Sequence, residues 1–174
     1  MLIAAMDTSY DHHERMLYIS LILMHERGIA DNILTNLLRK LRRSSLHFRE
    51  LSSKQKEEVL MEIDRIIESY KGSLSIIIIK VNVKKGLSIR KRISLENFIY
   101  VILRGGRVKR FYCPSDLDTK HYVLAERLKY KLEETEIHNT DDDITIQLAD
   151  ILVNWYRKRR KRIENMIYIK MHHC

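Results

Sequence analysis

The sequence predicts an α/β fold in which a mixed β-sheet carries helices on both faces. Two apolar runs open the chain, at residues 2–8 and 16–25, and the weak alternation of the second indicates burial on both faces. A third run, "SLSIIIIKVNV" at residues 73–83, is rich in β-branched side chains and bounded by turn residues, as buried central strands are. Helical patterns separate this run from a further strand at 107–113, and such alternation is typical of α/β domains.

Five segments repeat apolar residues at helical spacing. They are residues 31–43, 53–70, 95–103, 119–134 and 141–162. Ser53 and Ser94 are predicted to cap the second and third segments, because a serine hydroxyl can accept a hydrogen bond from the first helical turn. The first strand is expected to end at Asp7, and the strand at 107–113 is expected to end at Pro114.

Length and composition predict a single domain, residues 1–174, with residues 163–174 as a C-terminal extension. The chain is 45% hydrophobic and 32% charged, as soluble globular domains are, and its five glycines and one proline argue against flexible linkers. Lys, Arg, Glu and Ile abound while glutamine occurs only twice, a bias that favours a thermophilic source. For the extension three alternatives stay open: an added strand, a contact in a homodimer, or a tail.

A cytoplasmic location is predicted. Cys113 and Cys174 fit neither a disulfide framework nor a CxxC or zinc motif, which favours a reducing compartment. The N-terminal run lacks the basic leader of a signal peptide, and the apolar run at 16–24 is too short to cross a bilayer. The histidine pairs at residues 12–13 and 172–173 are interpreted mainly as surface residues rather than as a metal site.

A net charge of +9 indicates a polyanionic partner, usually nucleic acid. Much of the excess is concentrated in four basic runs of the chain. The residues expected to contact a phosphate backbone are Lys84, Lys85, Arg90, Lys91, Arg92, Arg107, Arg157, Lys158, Arg159 and Arg160. The alternative is that these runs form the solvated surface of a thermophilic protein.

The last predicted helix carries a polar seam between two apolar faces. When the helix is projected at about 100° per residue, Asp143, Gln147, Asp150 and Asn154 fill the gap between those faces. This pattern predicts a largely buried helix, in which a carboxylate must be paired, hydrogen-bonded or bound to a cation. Alternatively, the seam bonds neighbouring backbone or reaches solvent.

Further carboxylates fall at predicted boundaries of elements. Asp7 follows the first strand, Glu50 lies between two helices, and Asp116 and Asp118 follow a later strand. Each has a local alternative as a turn, surface or capping residue. Carboxylates gathered at one end of a sheet repel one another and take up protons unless a cation neutralises them. Oxygen ligands select Mg²⁺ or Mn²⁺, and two such ions can promote phosphodiester cleavage by water.

Four segments resemble the ribonuclease H-like (retroviral-integrase) superfamily over about residues 1–160. They are "AAMDTS" at 4–9, "LHFREL" at 46–51, "RVKRFYCPSD" at 107–116 and "IQLADIL" at 146–152. Within this superfamily, the chain is similar to an uncharacterised family with an "IDES"-type first strand and a "QLAD" helix. The "MDTS" segment departs from that family's pattern, in which acid-Ser-Gly more often follows the aspartate.

The resemblance implies a ribonuclease H-like fold and a carboxylate-bound Mg²⁺ or Mn²⁺ site. Asp7 and Asp150 match the metal ligands of the first strand and the last helix. Glu50, with His47 nearby in sequence, matches the family's Glu/His segment and would serve as a ligand or orient the attacking water. Asp116 is assigned as the remaining catalytic acid and metal ligand, with Asp118 as the alternative ligand.

The expected function is therefore metal-dependent hydrolysis of DNA or RNA phosphodiester bonds. The central predicted strand, however, offers only Lys80 and Asn82 where some relatives of this fold carry a ligand. A catalytically inactive nucleic-acid-binding protein on the same fold is thus the alternative, and a partner-binding subunit is a third hypothesis. Serine and cysteine hydrolases are disfavoured, because the chain has no GxSxG motif and no pattern indicates a base for Cys113.

Overall fold

A six-stranded β-sheet forms the centre of the computed structural model, which describes residues 2–83, 88–114, 124–140, 142–161, 163–164 and 166–171. The strands are β1 (Ile3–Asp11), β2 (Met16–Met24), β3 (Leu74–Asn82), β4 (Arg110–Cys113), β5 (Glu136–Asn139) and β6 (Met166–Met171). They lie side by side in the order β5-β4-β1-β2-β3-β6. β2 pairs antiparallel with β1 and β3, and the other neighbours pair in parallel, so the predicted mixed sheet is confirmed.

Helices cover both faces of this sheet, as predicted. The α-helices in the described segments are α1 (Gly28–Leu41), α2 (Ser53–Ile66), α3 (Ile89–Gly105), α4 (Leu124–Lys129) and α5 (Ile144–Arg159). The chain also forms two short 3₁₀-helices, Phe48–Glu50 and Ile67–Tyr70. One face of the sheet, here called the α5 face, packs against α1, α2 and α5, and the other packs against α3 and α4. None of the helices described is long and apolar enough to cross a membrane.

Strand side chains divide between the two faces by simple alternation. In β1, Ile3 and Ala5 belong to the core on the α5 face, whereas Ala4 and Met6 belong to the core under α3 and α4. Residues 76–79 of β3 alternate in the same way. Because helices cover both faces, every one of these positions is apolar, which accounts for the "IIII" run.

The structure corrects two predicted helix caps. The N-cap of α2 is Ser52 rather than Ser53: its Oγ accepts the Gln55 N–H at 3.3 Å, and Gln55 Oε1 accepts the Ser52 N–H at 3.1 Å. The N-cap of α3 is Ser88 rather than Ser94, so that helix starts earlier than predicted. In both helices the cap is the serine whose backbone is still extended, a conformation that sequence spacing does not reveal.

Two predicted boundaries are also wrong. β1 does not end at Asp7 but continues to Asp11, because β2 pairs with it as far as the Asp11–Met16 pair. Within the described residues, the predicted helix at 119–134 corresponds to α4 alone, and the chain then forms β5, which the sequence analysis misses. Residues 119–123 lie outside the described segments.

The C-terminal extension adds a strand to one edge of the sheet. β6 pairs in parallel with β3, from the Ile76–Met166 pair to the Val81–Met171 pair. Of the three alternatives for this segment, the added strand is the one that the described residues form. Residues 172–174 lie outside the description.

Candidate functional site

Helix α5 is buried on almost all sides. Every residue from 145 to 156 is buried except Asp150, which is partly exposed. The helix begins at its N-cap Asp143, whose Oδ1 accepts the Thr145 N–H at 2.8 Å and whose Oδ2 pairs with Arg27 at 3.0 Å. The predicted buried helix with a polar seam is confirmed.

The polar seam of α5 holds the segment that precedes α2. Gln147 Oε1 accepts the Leu46 N–H at 3.0 Å, and Asp150 Oδ2 accepts the Phe48 N–H at 2.7 Å. The second bond reaches the start of the 3₁₀-helix Phe48–Glu50, where backbone N–H groups have no partner within the helix. Bonding to neighbouring backbone, which the sequence leaves open as an alternative, is thus one role of this seam.

Asp150 is a largely buried acid with hydrogen bonds to both oxygens. In addition to Phe48, Asn154 Nδ2 donates to Asp150 Oδ1 at 2.8 Å. Burial raises the pKa of the Asp150 carboxyl above its ordinary value, although the Phe48 N–H, His47 and Arg49 oppose that rise. The groups around Asp150 therefore offset only part of the free energy that burial of its carboxylate charge costs. A bound cation would offset the remainder.

Asp7 lies in the middle of β1 and on the α5 face of the sheet. It has this orientation because it continues the alternation of Ile3 and Ala5, which belong to the core on that face. Asp7 Oδ1 accepts the N–H of the next residue, Thr8, at 2.7 Å.

Two contacts show that β1 and α5 run in the same direction. Ser9 Oγ donates to Asn154 Oδ1 at 3.0 Å. Further along both elements, Arg157 Nη1 donates to the Tyr10 carbonyl at 2.7 Å. Residue numbers therefore increase in the same direction along β1 and along α5.

The same alignment leads us to expect Asp7 level with Asp150. Asp7 precedes Ser9 by two residues, which is about 6.6 Å along a strand at ~3.3 Å per residue. Asp150 precedes Asn154 by four residues, which is about 6 Å along a helix at ~1.5 Å per residue. From these two distances we expect the backbones of the two acids at about one level of the interface between β1 and α5.

β4 ends close to this level. Its parallel pairing with β1 ends at the Ala5–Tyr112 pair, two residues before Asp7. Beyond that point, among the described residues, β1 pairs with β2. Asp116 and Asp118 lie outside the described residues, so both assignments stay predictions.

The described residues form no complete metal site. Glu50 ends the 3₁₀-helix as an exposed residue. Among the residues that the structure describes, no three His, Cys, Asp or Glu side chains form a group able to hold a metal ion. Asp7 and Asp150 are hard oxygen donors of the kind that Mg²⁺ and Mn²⁺ prefer, so they fit a divalent cation as two of its ligands.

The basic run at the end of α5 is largely paired within the fold. Arg159 binds Glu57 at 2.6 Å and Asp64 at 3.0 Å. Arg160, which ends the helix, binds Glu14 at 2.7 Å. Two of the predicted phosphate contacts of this run thus already pair with acids of the fold, and their contact with phosphate stays a prediction.

The remaining predicted phosphate contacts that the structure describes lie on separate elements. Lys158 is exposed on α5, and Arg107 is exposed between α3 and β4. Residues 90–92 belong to the first turn of α3, which packs on the face of the sheet away from α5. Residues 84–85 lie outside the described segments.

A charged network that was not predicted from the sequence surrounds Tyr18, a fully buried residue of β2. Its hydroxyl donates to Glu14 Oε2 at 2.6 Å, and Lys80 Nζ pairs with the same oxygen at 2.9 Å. The Tyr18 bond, followed by the Lys80 bond, lowers the pKa of Glu14 to about 2. Lys80, which stands where some relatives of the fold carry a ligand, is therefore an ion-pair partner here. Side chains alternate along β3, and this alternation puts Lys80 on the α5 face. The alternation is the feature of the sequence from which the position of Lys80 could have been predicted.

Comparison with known proteins identifies the fold but no family. No protein-family model matches the sequence, and no curated protein is similar enough to count as a relative. Among solved structures, the chain is similar to the RNase HII of the PCNA:RNase HII complex from Archaeoglobus fulgidus. The TM-score is 0.54 at 16% sequence identity, over 91% of this chain and 74% of the other. This likeness, with the mixed six-stranded sheet, shows that the chain has an α/β fold of the ribonuclease H-like type.

Proposed function

We propose that this protein is a divalent-metal-dependent nuclease that hydrolyses phosphodiester bonds of DNA or RNA. The observation that carries the proposal is the pair of contacts between β1 and α5, Ser9 with Asn154 and Tyr10 with Arg157, from which we expect Asp7 to lie level with the largely buried Asp150. A pair of acids on the first strand and the last helix also matches the two metal ligands that the resemblance to the ribonuclease H-like superfamily implies. Membership of the family with the "QLAD" helix is part of the same proposal.

The two acids have distinct supports, and these would keep their oxygens in place for a cation. The Thr8 N–H orients Asp7, while Phe48 and Asn154 orient Asp150. When bound, Mg²⁺ or Mn²⁺ would supply Lewis-acid activation of water and would neutralise charge on the phosphodiester group. The burial that raises the pKa of Asp150 supports this role, because an adjacent cation favours the ionised carboxylate.

Further ligands must come from residues beyond this pair. Asp116 is the proposed third ligand, and Asp118 is its alternative. Glu50 is proposed as a ligand or as the group that orients the attacking water. In support, Glu50 belongs to the short helix whose first N–H Asp150 holds, so the two residues are joined through Phe48.

The test is cleavage of labelled single- and double-stranded DNA, RNA and RNA–DNA hybrids in Mg²⁺, Mn²⁺ or EDTA. Wild-type cleavage should require the metal, and Asp7→Asn and Asp150→Asn should each lower the rate on the order of 100-fold, as loss of a metal ligand or its partner does. Asp142→Asn, which changes an exposed acid at the start of α5, is the matched control and should retain the wild-type rate. Metal-dependent cleavage that survives both ligand substitutions would overturn the proposal.

A second test separates Asp116 from Asp118. Asp116→Asn should abolish metal-dependent cleavage while Asp118→Asn leaves a measurable rate. The reverse pattern would assign the ligand to Asp118. Wild-type rates in both variants would remove this segment from the site.

An inactive nucleic-acid-binding protein is the second candidate function. It is favoured by the absence of a three-ligand group among the described residues and by the hydrogen bonds that already occupy Asp150. Strongly salt-dependent binding of DNA or RNA without cleavage in any metal would select this candidate.

Phosphate contacts can be tested in the same binding assay. Lys158 is exposed, and Lys158→Gln should lower the slope of log affinity against log salt by about 1, the effect of one lost phosphate contact. Arg159→Gln is the matched control, because Arg159 already pairs with two acids and should leave the slope unchanged. Equal slopes in all three proteins would exclude Lys158 from the nucleic-acid surface.

A further inference from the structure

Ser20 is a buried polar residue at the centre of the sheet. It lies in β2 with 0% of its surface exposed. Its Oγ has no hydrogen-bond partner in the part of the chain that the structure describes. A buried hydroxyl without a partner destabilises a fold, so its presence needs a physical reason.

The strand register identifies the polar residue that lies opposite Ser20 in the neighbouring strand. In the antiparallel pairing of β1 with β2, Ser20 lies directly opposite Asp7. On its other side, in the pairing of β2 with β3, it lies opposite Ile78. Along β2, the neighbours on the same face are Tyr18 and Ile22, which belong to the core on the α5 face. Asp7 is therefore the acid that Ser20 faces directly across the strand pair.

The separation between directly opposite residues permits a hydrogen bond. Such residues have Cβ atoms about 4.5–5.5 Å apart on the same face of an antiparallel pair. The serine Oγ and the aspartate carboxylate both extend from their Cβ atoms into that gap, and a hydroxyl can rotate about its bond to suit an acceptor. An ionised carboxylate has about four acceptor positions, and the Thr8 N–H occupies one of them on Asp7.

We infer that Ser20 is a positioning residue, whose hydroxyl would donate a hydrogen bond to the Asp7 carboxylate when the divalent cation is bound and would hold that carboxylate in the orientation that binds the cation. This inference rests on the proposed function, since it assigns Ser20 a role through the ligand Asp7. Carboxylates that bind metals are themselves commonly hydrogen-bonded, and loss of such a partner typically weakens metal binding about 10–100-fold.

The chemistry of the position supports this role over packing alone. In a strand covered on both faces, an apolar side chain would fill the space without a buried polar group. Alanine, which differs from serine by the hydroxyl, would fit the same position. Ser20 Oγ has no hydrogen-bond partner among the described residues, yet Ser20 lies opposite a proposed metal ligand. A role in the metal site therefore explains this hydroxyl better than a role in core packing does.

The inferred role of Ser20 predicts one effect of Ser20→Ala on stability and another on metal binding. In the metal-free protein, the substitution removes an unpartnered hydroxyl, so the melting temperature should be unchanged or higher. In a titration with Mn²⁺, followed by the electron paramagnetic resonance of the free ion, the same variant should bind about tenfold more weakly than the wild type.

The matched control is Thr145→Val, which also removes a buried hydroxyl but one that bonds Asp143 Oδ1 at 2.6 Å. That variant should melt at a lower temperature in the metal-free state and should keep the wild-type affinity for Mn²⁺. A high-resolution structure with Mn²⁺ should place Ser20 Oγ within about 3.0 Å of an Asp7 carboxylate oxygen.

The outcomes separate this inference from the proposed function. Wild-type affinity in Ser20→Ala, together with lost affinity in Asp7→Asn, would overturn the inference alone, as would a lower melting temperature of metal-free Ser20→Ala. Failure of the wild type to bind Mn²⁺ would overturn the proposed function and the inference with it. Weaker Mn²⁺ binding with unchanged metal-free stability supports the assignment.

Discussion

The two glutamines of this chain offer a matched test of what the seam of α5 contributes to stability. Each accepts a backbone N–H through Oε1: Gln147 from Leu46 at 3.0 Å, and Gln55 from Ser52 at 3.1 Å. Leu46 is completely buried, whereas Ser52 is exposed. Substitution of either glutamine by methionine, a side chain of similar length, removes the acceptor and preserves most of the volume.

The expected magnitudes differ because only one donor can turn to water. In Gln147→Met, the Leu46 N–H stays buried without an acceptor, which costs about 1–3 kcal/mol. For a chain of this size, that loss lowers the melting temperature by roughly 2–12 °C, at about 2–4 °C per kcal/mol. In Gln55→Met, water replaces the lost acceptor at Ser52, so the change should stay within about 0.5 kcal/mol.

Urea unfolding followed by circular dichroism, in EDTA at pH 7, measures both differences. Gln147→Met should also reduce cleavage, because the segment it releases carries Glu50 and contacts Asp150 through Phe48. Equal stability losses in the two variants would refute the reasoning, since burial of the donor would then make no difference. If Gln147→Met had the stability of the wild type, the hydrogen bond between α5 and Leu46 would not stabilise the position of this segment.

Three further predictions concern the carboxylates. Burial raises the folded-state pKa of Asp150, so its charge destabilises the metal-free protein only above that pKa. The stability of the wild type relative to Asp150→Asn should therefore fall as the pH rises through that pKa in EDTA, and a rise would contradict the burial argument. Glu14 has a pKa lowered to about 2 from 4.5, so its stabilising contribution is present above about pH 4.5 and is lost as the pH falls toward 2. Because 40% of its side chain is exposed, Glu14→Gln should cost only about 1 kcal/mol at pH 7, with little difference at pH 2 by urea unfolding. Glu96 is buried on α3 and pairs with Arg127 at 2.7 Å, and Arg127 is 52% exposed. Glu96→Gln should therefore cost less than the ~3–5 kcal/mol of a fully buried pair, and calorimetry would detect the lower melting temperature.

Local sequence patterns were sufficient to predict the main helices and the three long strands. The buried helix α5 is predictable because its apolar residues fall on two faces, and a helix with two apolar faces must be covered on both. Its polar seam is visible for the same reason, since four polar residues at helical spacing stand out between those faces. The run in β3 is predictable because β-branched residues without alternation indicate a strand covered on both sides.

Two kinds of feature were not predicted from the sequence: a short strand, and contacts between segments that meet only in the tertiary structure. β5 has four residues and is defined by its pairing with β4, so it has little local signal. The network of Glu14, Tyr18 and Lys80 joins a turn and two strands, and no spacing along the chain reports that contact.

By itself, then, the sequence determined the succession of strands and helices, the burial of α5, and the short set of acids from which a site could be built. The tertiary structure decided the register between elements: it aligned β1 with α5, from which Asp7 is expected level with Asp150, and it set Ser20 opposite Asp7. The physical reason is that periodicity reports which face of an element is buried, whereas register depends on hydrogen bonds between segments far apart in the chain. The direction of α5 along β1 is likewise set by contacts across more than a hundred residues, such as that between Ser9 and Asn154.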